Sequence, residues 1–206
     1  MPKGYWIARM DTTDPERYKQ YAVANGKAFK KYGARFIIRA GKFESVEGKP
    51  RGRNVLIEFP SYKAAIDCWN SPEYKEALKI REGISDGDIV VIEGYDGPQP
   101  FSETGARPGY WIARVDVNDM TPYKAYSDAL DAVLKEYKSR FLIRAGQFEC
   151  VEGNTRARHV VIEFPSYQAA LDCWNSPEYA AALAIRAPVT TADIVVIEGY
   201  EGPQPN

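Results

Sequence analysis

GYWIAR at Gly4–Arg9 returns as Gly109–Arg114, and IEFPSY at Ile57–Tyr62 returns as Ile162–Tyr167. DCWNSPEY at Asp67–Tyr74 returns as Asp172–Tyr179, and DIVVIEGY at Asp88–Tyr95 returns as Asp193–Tyr200. Residues 4–100 align with 109–205 without a gap. Two copies are too few for a solenoid, which needs about three units to bury its faces. The repeat is an internal duplication that joins two halves of a former dimer in one chain. A first module is expected over 1–97, a linker rich in Pro, Gly and polar residues over 98–108, and a second module over 109–206.

Within one copy, Tyr5–Asp11 reads as a strand, with aromatic and aliphatic residues ended by a polar cluster. Asp14-Pro15 is a helix start: a capping carboxylate, then a proline where no N–H is needed. Tyr18, Tyr21, Ala22, Ala28, Phe29 and Tyr32 follow at helical spacing, and Gly33 ends the run. Arg35–Gly41 and Asn54–Phe59 are the second and third strands, with a turn at Glu47-Gly48. A helix opens at Pro60-Ser61, is interrupted at Asn70-Ser71-Pro72, and restarts to about Arg81. Asp88–Tyr95 is the fourth strand. The order βαββαβ is the ferredoxin-like arrangement, and the fold class is α+β.

Alternation along each strand separates two faces. Trp6, Ala8, Met10, Phe36, Ile38, Ala40, Val55, Ile57, Phe59, Val90 and Ile92 form an apolar set, assigned to the helix-covered side. The other set mixes aliphatic and aromatic residues with Arg9, Arg39, Glu58 and Glu93. A sheet with helices on one side must cover the other, and the second copy supplies the cover. The two mixed faces are expected to close a pseudo-dimeric barrel holding Arg9, Arg39, Glu58, Glu93, Arg114, Arg144, Glu163 and Glu198. Four arginines then face four glutamates, as buried charges require.

Bulk composition narrows the classes. Net charge is −1, with 45% hydrophobic and 27% charged residues. A chain so balanced is not expected to attract nucleic acid. No apolar run reaches membrane-spanning length, and the opening MPKGYWIARMD lacks a secretory signal's apolar core. Three widely spaced cysteines, Cys68, Cys150 and Cys173, make no disulfide framework. Reduced thiols in the cytoplasm are the expectation. One histidine and no CxxC make a zinc site improbable, and no phosphate loop or cofactor motif is present. No metal and no cofactor are expected.

The element order, the opening GYWIAR, the GKFE and GQFE turns at Gly41 and Gly146, the VxIEFPS strand and the WxSPEY helix resemble the domain-of-unknown-function 1330 family. That family lies in the dimeric α/β-barrel superfamily. The resemblance covers both copies and implies paired sheets closing a barrel. Members usually carry one copy per chain, so the fusion implies a monomer with an internal pseudo-dimer and leaves further homodimerisation open. The superfamily includes lactone isomerases, cofactor-free monooxygenases, cyclases and haem enzymes, and fold does not decide among them.

The candidate site follows from the mixed face. Arg9, Arg39, Arg114 and Arg144 can hold a carboxylate bidentately, with Tyr5 and Tyr110 beside them. Glu58, Glu93, Glu163 and Glu198 are candidate bases if burial raises their pKa. His159 replaces Asn54 of the first copy, and would add a group titrating between about pH 5.5 and 7.5. On that ground the second copy is expected to hold the better pocket. The plainer reading of the charges is an ion-pair network, and of the helical tyrosines, packing against the sheet. Cys68 and Cys173 sit among apolar helix residues and read as core. The functional expectation is a cofactor-independent enzyme moving protons on a small aromatic or unsaturated carboxylate. The alternatives are a non-catalytic binder with the same pocket and a fusion whose barrel has none.

Overall fold

Each copy folds from its caps and its alternation. In a computed structural model that describes residues 1–101 and 105–205, the first copy comprises β1 (Gly4–Thr12), α1 (Pro15–Ala24), α2 (Gly26–Lys31), β2 (Arg35–Arg39), β3 (Phe43–Glu47), β4 (Arg53–Phe59), α3 (Tyr62–Asn70), α4 (Pro72–Arg81) and β5 (Ser85–Glu93). The second comprises β6 (Gly109–Val117), α5 (Met120–Glu136), β7 (Arg140–Arg144), β8 (Phe148–Glu152), β9 (Arg158–Phe164), α6 (Tyr167–Trp174), α7 (Pro177–Arg186) and β10 (Thr190–Glu198). Of the linker read over 98–108, residues 102–104 lie outside the described residues, as does Asn206 of the second module. Asp14 accepts from the Arg17 amide at 3.0 Å, and Ser71 accepts from the Tyr74 amide at 3.2 Å with Pro72 in the first turn. These are the caps the sequence announces. Among the described residues no helix is long and apolar enough to cross a membrane.

The two sheets run β2-β4-β1-β5-β8 and β3-β10-β6-β9-β7. The short arms β3 and β8 were not expected, since Glu47-Gly48 reads only as a turn. Each arm leaves its own copy and pairs antiparallel with the last strand of the other, β3 on β10 and β8 on β5. Two buried arginines pin the exchange. Arg81 donates to Glu152 on the arriving arm, with Nη1 at 2.7 Å, and Arg186 binds Glu47 in the same way. The arms lie on an edge that would otherwise be left unpaired.

Three apolar clusters result. Two are the helix–sheet cores, one around Trp6, Phe36, Ile57 and Phe59, the other around Trp111, Phe141, Ile162 and Phe164. The third joins the two sheets face to face, with Tyr5, Ile7, Leu56, Tyr110, Ile112 and Val161 among its members. The mixed faces do pack together as a closed barrel. Its middle is filled by aliphatic side chains, so the expected ligand pocket inside the barrel is not there.

Two face assignments change. The register of β1 against β5 sets Ile7 opposite Val90 and Tyr5 opposite Ile92, so Val90 and Ile92 point into the barrel. Ile89 and Val91 lie under the helices instead. Both halves of the run are aliphatic, and only pairing with β1 tells them apart. The second change comes from a bulge in β2. Phe36 pairs with Ile57 and Ile38 with Leu56, so Ile37 is an extra residue. An extra residue reverses the alternation beyond it. Ile38 therefore enters the barrel, and Arg39 turns to the helix side. β7 repeats the bulge and turns Arg144 the same way.

Candidate functional site

The register groups the barrel's polar residues at its two mouths. Glu58, Tyr5 and Ile92 stand in one row across β4, β1 and β5; Leu56, Ile7 and Val90 in the next; Asn54, Arg9 and Asp88 in the last. The second copy repeats this as Glu163, Tyr110, Ile197; Val161, Ile112, Val195; and His159, Arg114, Asp193. The outer rows are separated by four residues of strand, about 13 Å. Arg9 and Glu58 therefore serve opposite mouths and cannot act on one reacting atom.

At the first mouth the interior acids are Asp88 and Asp193, not Glu93 and Glu198. The same phase error that misplaced Val90 and Ile92 moved those two glutamates inside. Glu198 in fact accepts from the Lys42 amide at 2.9 Å on the rim of the structure, and Glu93 shares the parity of the helix-facing residues Ile89 and Val91. Arg114 binds both aspartates, Nε to Asp193 at 2.9 Å and Nη1 to Asp88 at 3.0 Å. Arg51 holds Asp88 and Arg156 holds Asp193, each with Nε at 3.0 and 2.9 Å respectively. Burial raises the Asp193 carboxyl, but Arg156, the Lys49 amide and Arg114 outweigh it and hold the group at about 2. Arg9 is left with Asp193 at 3.8 Å and an unpartnered Nη1. Burial, with Arg114 beside it, draws its pKa down to about 10.

His159 lies at this mouth, 4% exposed, its Nε2 2.7 Å from the Thr155 hydroxyl and its ring edge-on to Phe148. Burial and the nearby Arg114 and Arg9 depress its pKa to about 4. It is neutral at physiological pH, so the expected titration between about pH 5.5 and 7.5 does not occur there. The void beside it, between Arg9, Arg114 and Asp88, measures about 10 Å³, room for one water. A haem does not fit, and among the described residues no group of three His, Cys, Asp or Glu comes together as a metal would need.

The second mouth is different. Tyr5 donates to Glu58 at 3.1 Å and Tyr110 to Glu163 at 3.2 Å. Burial, then the neighbouring glutamate, raises the pKa of both phenols, so both stay protonated. Glu163 also accepts from Arg140 Nε at 2.9 Å and is buried. Glu58 meets Lys3 at 3.3 Å and is more open. Pro108 stands where Lys3 stands in the first copy, so among the described residues Arg140 is the cation paired with Glu163. This mouth opens into a cleft of about 780 Å³ between the modules, bordered by Arg35, Glu58, Tyr110, Arg140 and Glu163. The volume is within the range that small organic ligands fill. Five of the expected residues thus come together here: Tyr110, Glu58, Glu163 and Glu198 on the cleft's border, and Tyr5 through its bond to Glu58. Arg35 and Arg140 complete the group. The sequence held a signal for both, since each begins a strand one place before a buried Phe, but Arg140's reach to Glu163 and Arg35's place opposite Glu58 depend on register with β9 and β4.

Arg39 and Arg144 belong to neither mouth. They stack on Phe36 and Phe141 at 4.3 and 4.2 Å on the helix side of their sheets. Cys68 and Cys173 are buried, and burial pushes both thiols up to about 12. Neither is nucleophilic at neutral pH.

The sequence model of the family described as Domain of unknown function (DUF1330) matches residues 3–95 and again 108–200. No curated protein matches the chain. Among solved structures, an anthrone oxidase-like protein is 13% identical over 100% of this chain and 94% of its own, with a TM-score of 0.60. A dye-decolorizing peroxidase from Bacteroides thetaiotaomicron VPI-5482 is 10% identical over 98% of this chain and 94% of its own, with a TM-score of 0.56. At these identities the likeness speaks for the fold alone.

Proposed function

This chain belongs to the DUF1330 family, with two copies of the domain in tandem, and from that premise we propose that it binds a small aromatic or unsaturated carboxylate in the inter-module cleft and moves a proton on it. The observation that carries the proposal is the convergence of Glu58, Glu163, Tyr110, Arg35 and Arg140 on a ligand-sized space at a barrel mouth. No cofactor is required by this reading.

Arg35 stands on the rim, and among the described residues no carboxylate lies within 4.0 Å of it. Its planar guanidinium suits the substrate carboxylate. Leu142, Phe36 and Ile37 line the same cleft and suit an unsaturated or aromatic body. Glu58 is the base: it is the more open of the two glutamates and its cation, Lys3, is half exposed. Glu163, tied to Tyr110 and Arg140, shapes the floor. Glu58 takes a proton from the carbon conjugated with the carboxylate and returns it to another carbon, so that a double bond migrates or a ring closes with no net oxidation. The alternative is a protein that binds the acid without turning it over, and the hydrogen bonds already made by both glutamates favour it.

Incubating the protein in D₂O with a panel of unsaturated and aromatic carboxylates, followed by proton NMR, separates the two. Deuterium at carbon is expected with at least one acid, and Glu58→Gln should slow it by about 100-fold or more. Arg35→Ala should raise KM by about tenfold while altering kcat less. Binding without exchange for every acid identifies the non-catalytic protein, and no binding in the cleft removes both readings.

A further inference from the structure

Between the helices and the sheet each module leaves a crevice, and the two are furnished differently. In module one the crevice has a volume of about 40 Å³, with Arg39, Arg53 and Asn25 in its wall beside Trp6, Phe29 and Phe36. The Arg39 guanidinium makes two long hydrogen bonds, to the Ala22 carbonyl at 3.4 Å and to the Tyr200 hydroxyl at 3.3 Å. Among the described residues no carboxylate lies within 4.0 Å of it. Arg53 lies over the Tyr18 ring at 5.2 Å, and its buried Nε has no partner. Asn25 is 5% exposed, and its Oδ1 has no partner either. Two cations and a carboxamide thus face an aromatic slot with no counter-charge among the described residues. Both arginines are half-buried, so each is partly desolvated without a counter-charge, and the flanking rings compensate that only in part.

Module two gives Arg144 partners of its own, while Arg158, which stands where Arg53 stands, lies over the Tyr123 ring at 5.2 Å as Arg53 lies over Tyr18. Asp131 stands where Gly26 stands, Ser127 where Ala22 stands, and Leu130 where Asn25 stands. Arg144 Nη2 lies 2.9 Å from the Asp131 carboxylate and donates to Ser127 Oγ at 2.9 Å. Leu130 is buried in the core. The one cation lining that crevice, Arg186, is held by Glu47.

We propose that the module-one crevice is a binding site for one small planar oxyanion, a carboxylate or hydrogencarbonate, held between Arg39 and Arg53. In module two the carboxylate of Asp131 takes the anion's place. Two forked guanidinium groups match a planar oxyanion. The volume admits formate, acetate or hydrogencarbonate and excludes a body of the size the inter-module cleft accepts. The site shares no charged residue with that cleft.

Calorimetric titration of the full chain with formate, acetate and hydrogencarbonate tests this. One anion per chain is expected to bind in a step that Gly26→Asp weakens at least tenfold. A Cβ at Gly26 meets nothing within 4 Å, so the new side chain enters without displacing a neighbour and places a carboxylate as Asp131 does. Gly26→Asn, of equal size and no charge, should keep the step. Asn25→Leu should abolish the anion-dependent rise in Tm. Binding in the cleft is indifferent to Gly26, so it does not confuse the result. The proposal falls if no anion binds, which leaves a crevice holding water. It falls also if Gly26→Asp binds as tightly as the wild type, or if Gly26→Asn loses as much as Gly26→Asp.

Discussion

Along the first helical layer stand Ala22, Asn25 and Gly26; along the second, at the same places, stand Ser127, Leu130 and Asp131. The first set leaves Arg39 without a carboxylate among the described residues and the Asn25 amide oxygen without a partner, and the second pairs Arg144 with Asp131 and puts Leu130 in place of the amide. At the first barrel mouth the difference runs between Asn54, whose Oδ1 has no partner, and His159, whose ring is hydrogen-bonded to Thr155. The two modules therefore share a backbone and a register but not the satisfaction of their buried polar groups. Once a duplication has fixed the fold twice over, one copy can pack its interior for stability while the other keeps polar groups open. The open polar groups at these positions lie in the first copy, whereas His159 drew the sequence expectation to the second.

The comparison can be broken first at the exchanged arms, where the modules should behave alike. Arg81→Met and Arg186→Met each strand a glutamate that the other copy supplies, and each should cost about 3 kcal/mol in urea unfolding. Losses that differ by more than about 1 kcal/mol would mean that the interlock is lopsided. The helix-covered cores should also match. Ile57→Ala and Ile162→Ala, both nearly fully buried, should each lose about 2–5 kcal/mol, and a loss under about 1 kcal/mol at either would contradict the face assignment.

The pH dependence is where the copies should part. His159 has a folded pKa near 4, below the unfolded value of 6.5. Between those values the unfolded chain binds a proton that the folded chain does not, so stability falls as pH drops from 6.5 towards 4 and this contribution levels off below. The fall amounts to up to about 3 kcal/mol. His159→Asn should flatten that limb of the curve, and unfolding midpoints from about pH 3 to about pH 7.5 would read it. An unchanged curve would place His159 in contact with water. The smallest effect sharpens the contrast between crevices: Asp131→Gly should cost about 1 kcal/mol, through the exposed ion pair and helix propensity together. A thermal melt that does not move would mean that Asp131 contributes nothing to Arg144.

Read alone, the repeat, the caps at Asp14 and Ser71, and the alternation in β1 and β4 were enough for two βαββαβ modules joined sheet to sheet. Those signals are local, and each residue's role follows from its neighbours a turn or two away. The arms β3 and β8 were illegible because Phe43–Glu47 and Phe148–Glu152 have partners only in the opposite copy. Arg39 and Arg144 were misplaced because a bulge of one residue reverses a strand's faces, and nothing in RFIIR or RFLIR marks where it falls. Asp88 and Asp193 were passed over for Glu93 and Glu198 because DIVVIE carries aliphatic residues on both faces, and only pairing with β1 chooses between them. Composition and periodicity determined what each strand could bury. The sheet register decided which charges meet, since a shift of one residue in pairing exchanges every side chain between barrel and helix layer.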